Sequence, residues 1–385
     1  MTNYKVPFFV PDIDQREIDA VTKVLNSKWI TTGPMVEKFE QEFSQLISND
    51  KKEIYSIAVN SATAGLHLAL LACDIRKGDE VITSTLTFTA TTEAIENVGA
   101  KVKLVDIDPL TMNMNIEELS RSITKRTKAI LPVHYSGLSC DMDPIIGLAK
   151  KHNIKIIEDA AHALASTYKK NTIGSLDSDV TVFSFYANKT ITTGEGGMAV
   201  TSNRKLAENL RIIRYHGIDK HAFQRETSQS AFYQVITSGY KYNLTDIAAS
   251  IGVEQLKKLP EILNKRHQLA ERYFEDLKDL PLILPPKPKF DDIHPWHLFV
   301  IRLREDSSID RDNVMQILLD SGVQTSLHYI PIHRHPYWKN RYSLKAEAYP
   351  HAENAFKNMI SIPLFTSMTD TQQNIVIKSL HEALA

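Results

Sequence analysis

The chain is predicted to adopt an α/β fold, with a large domain on a mostly parallel sheet and a smaller C-terminal α+β domain. From about residue 54 to residue 217, short apolar runs typical of buried strands alternate with helical segments. After about Leu259 the sequence changes to a long charged helical segment, followed by a proline-rich connector at 281–292. We therefore assign residues 1–255 to the large domain and residues 256–385 to the small one.

The composition is that of an ordinary globular protein and argues against several functions. The 385 residues are 43% hydrophobic and 24% charged, with a formal net charge of -1. A nearly neutral chain without a Lys/Arg cluster has no general attraction to nucleic acid or to an anionic membrane. No apolar run approaches the roughly 18 residues of a membrane span, and we find no signal peptide. The distant cysteines Cys73 and Cys140 indicate a cytoplasmic protein with neither a disulfide nor a metal site.

The first 72 residues are predicted to form an arm, two helices and a strand that leads into a third helix. Asp14 is a predicted N-cap, with Glu17 in the capping-box position. The segment 54–72, IYSIAVNSATAGLHLALLA, changes from strand to helix at Ser61–Thr63. The free N–H groups of such a helix start bind anions, most often phosphate. Simple helix capping explains the same residues equally directly.

Strand–helix units then continue to Asp159, which follows the apolar run IKII. Ligands of parallel α/β sheets bind at the carboxyl ends of the strands, and Asp159 is predicted at such an end. Its carboxylate could pair with a cation of the protein. It could also face the cationic ring nitrogen of a ligand.

Lys189 lies in a short polar turn between two apolar strands, VTVFSF and MAVTS, next to the small-residue segment TTGEGG. A buried ammonium group either loses its proton or finds a partner. A desolvated lysine amine is the usual nucleophile of Schiff-base chemistry, so we hypothesise that Lys189 binds an aldehyde cofactor. The alternative is an ordinary surface lysine in a hairpin turn.

The C-terminal third is predicted to contain a helix that starts near Asn243 or Thr245 and a separate charged helix from 263. A strand at 294–303 and a helix followed by a strand within 310–331 come next, and two helices end the chain. No internal repeat is visible.

Pyridoxal 5′-phosphate (PLP) would use all of these features. It needs an amine for its aldehyde, an acid for its ring nitrogen, donors for its phosphate and a flat surface for its ring. His162 could approach the ring oxygen or the ring face opposite the stacking aromatic side chain. The predicted residues are, in that order, Lys189; Asp159; Ala62, Thr63 and Ser184; Phe88; and His162.

The strings WITTGP, NSATAGLHLAL, PVHYSG, EDAAHA, FSFYANKTITTGEGG, GYKYNLTDI and LHYIPIH span nearly the whole chain. In this order they resemble the DegT/DnrJ/EryC1/StrS family of PLP-dependent nucleotide-sugar aminotransferases. Within the family, several strings are similar to members that form UDP-4-amino-4-deoxy-L-arabinose, whereas TTGEGG and FYANK differ from that form.

The resemblance implies the type I aminotransferase fold and a homodimer with shared active sites. It implies amino transfer from L-glutamate to a nucleoside diphosphate (NDP) 4-keto sugar, with a 3-keto sugar as the alternative. Asn243 is expected to reach the cofactor phosphate of the opposite subunit. The residues expected near the nucleotide-sugar pocket are Thr31, Thr32, Tyr215, His216, Lys241, His328 and His333.

Two other classes remain open from the sequence. A different type I PLP enzyme is possible, but a cysteine desulfurase needs a mobile reactive cysteine, and neither Cys73 nor Cys140 is well placed. An amino-acid aminotransferase needs an arginine clamp for a second carboxylate, which no motif identifies. A non-catalytic regulator that retains the fold is the other class, although an intact lysine and acid argue against lost catalysis.

Overall fold

The computed structural model describes residues 4–48, 52–219 and 232–384, so most of the predicted excursion at 218–240 lies outside the described residues. The strands are β1 (Tyr55–Val59), β2 (Glu80–Ser84), β3 (Lys101–Val105), β4 (Thr127–Leu131), β5 (Lys155–Asp159), β6 (Thr167–Tyr168), β7 (Asn171–Thr172), β8 (Val180–Ser184), β9 (Gly197–Thr201), β10 (Leu282–Ile283), β11 (Phe299–Leu303) and β12 (Met359–Ile362). The helices are α1 (Gln15–Ser27), α2 (Pro34–Ile47), α3 (Ala62–Ala72), α4 (Thr89–Asn97), α5 (Ile116–Ser122), α6 (Met142–His152), α7 (Arg204–Ile213), α8 (Asp246–Asp276), α9 (Arg311–Asp320), α10 (Pro336–Tyr342), α11 (Pro350–Asn358) and α12 (Asp370–Leu384).

The central sheet has seven strands in the order β1–β9–β8–β5–β4–β2–β3. The pairs from β8 through β5, β4 and β2 to β3 are parallel. β9 runs antiparallel to both of its neighbours, β1 and β8. The predicted mostly parallel sheet is therefore confirmed.

Alternate residues of the central strands enter two separate cores, one on each face of the sheet. Phe183 of β8 joins the core beneath α2 and α6, whereas its neighbour Val182 joins the core beneath α3 and α7. The Phe183 ring packs against Phe43 of α2 at a centroid distance of 5.2 Å. Burial on both faces explains why these strands are continuous apolar runs in the sequence.

Three chain segments meet at the carboxyl ends of the parallel strands. β5 ends at Asp159 and β8 ends at Ser184. β9 lies between β8 and β1, and its first residue, Gly197, pairs with both Ser184 and Val59. The start of α3 follows Val59 after two residues, so the sheet brings Asp159, Ser184 and the α3 N-terminus to one edge.

The two helices predicted before and after Pro260 form one continuous helix, α8, which passes through this proline. The prediction of two separate helices is therefore wrong. The proline removes one backbone hydrogen bond, but packing holds both halves of the helix in line. Val253 packs in a core of the large sheet, whereas Leu269 and Tyr273 belong to a core with β11 and β12. The boundary between residues 255 and 256 lies within this helix, and the two domains stay a prediction.

The C-terminal part contains a small antiparallel sheet, β10–β11–β12, with α9 and α12 packed against each other. The strand predicted at the end of 310–331 is wrong. Val323 forms a single β-bridge with Val6, and Ser326 forms another with Ser361. Each bridge involves one residue of the segment, so no continuous strand forms. None of the helices in the described part of the chain has the length and apolar character needed to span a bilayer.

Candidate active site

A cavity of about 540 Å³ opens at the carboxyl edge of the sheet. All predicted cofactor residues except Asn243 line it, and so does one predicted substrate residue. These lining residues are Ala62, Thr63, Phe88, Asp159, His162, Ser184, Lys189 and His328.

Lys189 reaches the cavity from the turn that follows β8. Phe185 is fully buried and anchors this turn, because its N–H donates to Gly196 O (2.9 Å) and its carbonyl accepts from Thr193 N–H (3.0 Å). Burial lowers the pKa of Lys189 to about 8, and the charge of Asp159 opposes part of this shift. In the described part of the chain, no carboxylate is within ion-pair distance of Lys189. A substantial fraction of its amine is therefore neutral near pH 8.

Asp159 is buried at the end of β5, with 6% of its surface exposed. Its Oδ2 accepts a hydrogen bond from the Thr91 hydroxyl (2.8 Å), and its Oδ1 accepts one from the Ala161 N–H (3.1 Å). Burial raises the pKa of Asp159, whereas these two hydrogen bonds and the charge of Lys189 oppose the rise. The carboxylate is thus prepared for a cationic partner in the cavity.

The start of α3 presents N–H groups that have no acceptor in the part of the chain that the structure describes. The Ser61 side chain caps Ala64 N–H (3.1 Å), and the first intrahelical bond is donated by Gly65 to Ser61 O (3.1 Å). The N–H groups of Ala62 and Thr63 precede this bond. A Cβ on Gly197 would lie 2.7 Å from Ala62 N, so glycine permits β9 to approach the helix start closely.

His162 uses both ring nitrogens in hydrogen bonds. Nδ1 accepts from the Ser136 N–H (3.3 Å), and Nε2 lies 2.8 Å from the Tyr329 hydroxyl. Phe88, with 55% of its surface exposed, lies 5.6 Å from the Tyr329 ring between centroids. An exposed aromatic ring on a cavity wall is a suitable stacking surface for a flat ligand.

Asn243 lies in a second cavity, of about 560 Å³, which Thr32 and Tyr215 also line. Its Nδ2 donates to Thr32 Oγ1 (2.6 Å), and its Oδ1 accepts from Lys241 Nζ (2.6 Å). The Lys241 ammonium also lies 4.2 Å from the centre of the Tyr215 ring. Four of the predicted residues therefore form one cluster outside the Lys189 cavity.

The remaining predicted residues are dispersed. Thr31 is exposed next to Thr32, and its carbonyl accepts from Asp246 N–H (3.1 Å). His216 is exposed and packs edge-on against Tyr215. His333 is buried between Thr85 Oγ1 (2.7 Å) and Glu353 Oε1 (2.6 Å), and it is not among the residues that line either cavity. Their proposed contacts with substrate stay predictions.

Comparison with known proteins identifies the family. The DegT/DnrJ/EryC1/StrS aminotransferase family model matches residues 11–381. SpsC, a spore coat polysaccharide biosynthesis protein of Bacillus subtilis strain 168, is 40% identical over 383 residues, covering 99% of this chain and 97% of SpsC. The chain belongs to the DegT/DnrJ/EryC1/StrS aminotransferase family.

Solved structures agree with this assignment. Spr1654 of Streptococcus pneumoniae in its PLP form has a TM-score of 0.91 and 32% identity, covering 99% of this chain and 100% of Spr1654. Helicobacter pylori PseC, an aminotransferase involved in pseudoaminic acid biosynthesis, has a TM-score of 0.89 and 28% identity over 98% of each chain. The predicted family, type I aminotransferase fold, enzyme class and PLP cofactor are confirmed.

The residues of this aminotransferase fit PLP. The cavity combines an amine, a buried carboxylate, a helix N-terminus and an exposed aromatic ring, which match the aldehyde, ring nitrogen, phosphate and ring of the cofactor. Asn188 Oδ1 is buried without a hydrogen-bond partner within the described chain, and Asn188 lines the same cavity. A buried polar atom without a partner indicates that a ligand completes the site.

Several residues of this aminotransferase site were missed in the sequence. Thr91 lies in the string TFTATT beside Phe88, and Tyr329 follows His328, but neither residue type signals a role by itself. Asn188 directly precedes Lys189. The alternative reaction that needs a reactive cysteine is not supported, because Cys73 and Cys140 are both buried, and burial raises the pKa of the Cys73 thiol to about 12.

Proposed function

We propose that the enzyme transfers the amino group of L-glutamate to the keto group of an NDP-4-keto sugar. The products are 2-oxoglutarate and an NDP-4-amino sugar for surface polysaccharide or related glycan biosynthesis. The observation that carries the proposal is the Lys189 amine, whose lowered pKa of about 8 and position in the same cavity as Asp159 suit proton transfer in a transaminase. We place the enzyme in the cytoplasm.

The names of its relatives support a sugar substrate. SpsC is named for spore coat polysaccharide biosynthesis, and PseC is an aminotransferase of pseudoaminic acid biosynthesis. Both share nearly the full length of this chain. A sugar ketone is therefore favoured over a second amino acid as the amino acceptor.

The Lys189 amine acts as a base when it is neutral and as an acid once it carries the proton. It removes the proton from the α-carbon of glutamate, and in the second half of the reaction it returns a proton to the sugar carbon that receives the amino group. When bound, PLP would supply an aldehyde carbon that carries the amino group from one half-reaction to the other and a ring that accepts carbanion charge. The reaction exchanges an amino group for a keto oxygen and requires no external oxidant or reductant.

Asp159 supplies the matching negative charge. Its carboxylate holds the proton of a ring nitrogen in place, which favours delocalised charge in the transition state. Ser184 and the N–H groups of Ala62 and Thr63 bind the phosphate. Phe88 provides the stacking face.

The second cavity suits the nucleotide part of the substrate or a neighbouring subunit. Lys241, which bonds Asn243 at this cavity, supplies a cation, and Tyr215 supplies an aromatic face. The Thr32 hydroxyl donates to Leu244 O (2.6 Å) and holds Asn243 in place. We propose that Thr31 and His216, which adjoin this cavity in sequence, also contact the nucleotide sugar, and that His328, in the lining of the Lys189 cavity, and His333 lie near its sugar part. Nucleoside diphosphates present a dianionic group and a flat base, which such residues recognise.

A substrate panel tests the function. Purified holoenzyme is incubated with L-glutamate and each of several NDP-4-keto and NDP-3-keto sugars, and 2-oxoglutarate release is measured. We expect turnover with a 4-keto sugar and none with Lys189→Ala. Preference for a 3-keto sugar would assign the enzyme to the alternative regiochemistry. Absence of turnover with every sugar, despite bound PLP, would favour a non-catalytic regulator.

We also propose a homodimer in which Asn243 contributes to the cofactor phosphate site of its partner. Its position outside the Lys189 cavity of its own chain supports this arrangement. Mixed refolding of Lys189→Ala with Asn243→Ala would create hybrid dimers with one intact site. Random pairing should restore about a quarter of wild-type activity. No gain over the separate variants would contradict a shared site.

A further inference from the structure

Tyr329 is a cavity residue to which the proposed reaction assigns no role. It reaches the Lys189 cavity from the segment that follows α9, in the C-terminal part of the chain. Its hydroxyl lies 2.8 Å from His162 Nε2. The direction of this one hydrogen bond decides what the hydroxyl can do toward a ligand.

The direction follows from the other nitrogen of His162. The Ser136 backbone N–H can only donate, and it points to Nδ1 at 3.3 Å. Nδ1 therefore carries no proton, and the proton of a neutral imidazole lies on Nε2. Burial, together with the charge of Lys189, lowers the pKa of His162 well below its usual range, which agrees with a neutral ring. His162 thus donates from Nε2 to the Tyr329 oxygen.

Within residues 4–48, 52–219 and 232–384, the hydroxyl proton of Tyr329 consequently has no acceptor and is available to a ligand. Burial raises the pKa of Tyr329 well above its usual range, so the hydroxyl stays protonated. The neighbouring peptide is held on both sides. The Tyr135 hydroxyl donates to His328 O, and His328 Nδ1 bonds Ser361 Oγ at 2.9 Å. The donor is therefore fixed before a ligand arrives.

We propose that Tyr329 is a hydrogen-bond donor to an oxygen of the ligand in the Lys189 cavity, and that His162 positions it. The acceptor is an anionic or carbonyl oxygen. Two sources carry this chemistry: the phenolic oxygen of the cofactor ring, or an oxygen of the amino donor or sugar. The second source rests on the proposed function. His162 is then a positioning residue, whereas Tyr329 contacts the ligand directly.

Tyr329→Phe tests the donor, with Tyr273→Phe as the matched control. Tyr273 is a buried tyrosine whose hydroxyl donates to Pro363 O (2.7 Å) and lies 3.9 Å from Met368 Sδ, and it is outside the cavity lining. Apo-protein is titrated with PLP and with 3-deoxypyridoxal phosphate, which lacks the phenolic oxygen. If that oxygen is the acceptor, Tyr329→Phe weakens PLP binding about five- to tenfold and leaves binding of the deoxy compound unchanged.

If the acceptor belongs to a substrate, PLP binding is unchanged and the KM for glutamate or keto sugar rises by a similar factor. Unchanged cofactor affinity together with unchanged KM values would overturn the proposal. If the wild-type enzyme uses no keto sugar, the proposed function fails, but PLP binding and the glutamate half-reaction still decide the role of Tyr329. If Tyr329→Phe then changed neither the affinity for PLP nor the KM for glutamate, the proposed role of Tyr329 would be rejected.

His162→Leu separates positioning from direct contact. If His162 acts only through the Tyr329 hydroxyl, the PLP affinity or KM that Tyr329→Phe changes should be the same in the double variant His162→Leu/Tyr329→Phe as in Tyr329→Phe alone. Independent, multiplicative losses would show that His162 contacts the ligand by itself. That result would overturn its assignment as a positioning residue. Thermal melting of all variants reports whether each is folded.

Discussion

The Thr91 hydroxyl donates a 2.8 Å hydrogen bond to Oδ2 of Asp159. Thr91 lies in the first turn of α4, close in sequence to Phe88, whereas Asp159 ends β5. The bond therefore connects the helix that follows Phe88, the proposed stacking residue, to the acid that we propose for the ring nitrogen. It also opposes the effect of burial, which raises the pKa of this carboxyl group.

Thr91→Val should reduce kcat/KM about tenfold, since a hydrogen bond to a charged group contributes roughly 1.5–3 kcal/mol. The pKa of Asp159 should rise further. A carboxylate with a raised pKa is protonated at higher pH, so the acidic limb of the pH–rate profile should move to higher pH. Steady-state kinetics across pH 5–8 measures both changes.

Thr92→Val is the control, because Thr92 is also buried in α4 but its hydroxyl bonds Thr89 O (2.9 Å). We expect a pH profile close to that of the wild type. An identical shift in both variants would indicate a general disturbance of α4 and contradict the specific role of Thr91.

The lowered pKa of Lys189 predicts how the apo-enzyme captures an aldehyde. Only the neutral amine attacks, so the rate constant should rise about tenfold per pH unit well below pH 8 and level off above it. Stopped-flow absorbance after mixing apo-protein with PLP measures this rate constant. An unburied lysine would show the rise continuing to about pH 10.

Asp159 contributes to the same measurement, because its charge raises the pKa of Lys189 against the effect of burial. Asp159→Asn should therefore move the midpoint of the capture profile below that of the wild type. The substitution keeps the shape and one acceptor oxygen of the side chain. A midpoint that moves upward would contradict the electrostatic relationship between the two residues.

Much of the fold, and the two residues at the centre of the candidate site, could be predicted from the sequence. Strand periodicity placed Asp159 at a strand end, and apolar flanks made Lys189 an unusual lysine. Both signals are local and need no knowledge of distant contacts. The confirmed family resemblance rests on strings that contain these same residues.

Features that depend on distant segments were not predictable in this way. The continuity of α8 through Pro260 depends on packing against two different cores. The partners of Val323 and Ser326 lie in the N-terminal arm and in β12, which the local sequence does not reveal. The proposed donor role of Tyr329 depends on the hydrogen bonds from Ser136 to His162 and from His162 to Tyr329. Ser136 and His162 are both remote from Tyr329 in the chain.

The close approach of β9 to the start of α3 requires glycine at position 197. The Cβ of Gly197→Ala would lie 2.7 Å from Ala62 N, so the helix start has to move. Because the displaced N–H groups serve the proposed phosphate site, PLP affinity should fall at least tenfold, with a smaller effect on pyridoxal without phosphate. Fluorescence titration of the apo-protein measures both constants.

Gly147→Ala serves as the control for Gly197. Gly147 lies within α6, and a Cβ there meets no atom within 4 Å. Alanine should stabilise the helix by about 0.5–1 kcal/mol without changing cofactor affinity. Equal losses of PLP affinity in both variants would argue against a local effect at the α3 start.

Arg266 is a buried cation that holds the loop behind His162. Its guanidinium donates to the carbonyls of Pro295, Trp296, His297 and Leu364, at distances between 2.6 and 3.2 Å. The His297 ring in turn packs 4.4 Å from the His162 ring between centroids. Loss of Arg266 would leave several buried carbonyls without donors, so the consequence should extend to the cavity.

Arg266→Leu should lower the free energy of unfolding by about 3 kcal/mol or more, because each unsatisfied buried acceptor costs roughly 1–3 kcal/mol. PLP affinity should fall as well, since His297 loses its backbone anchor next to His162. Arg272→Leu, which removes a partly exposed pair with Asp276 in the same helix, should cost no more than about 1 kcal/mol. Denaturant unfolding and PLP titration of the two variants measure the difference. If Arg266→Leu were as stable as Arg272→Leu, the carbonyls would have found other donors, and the coupling between this loop and the cavity would be absent.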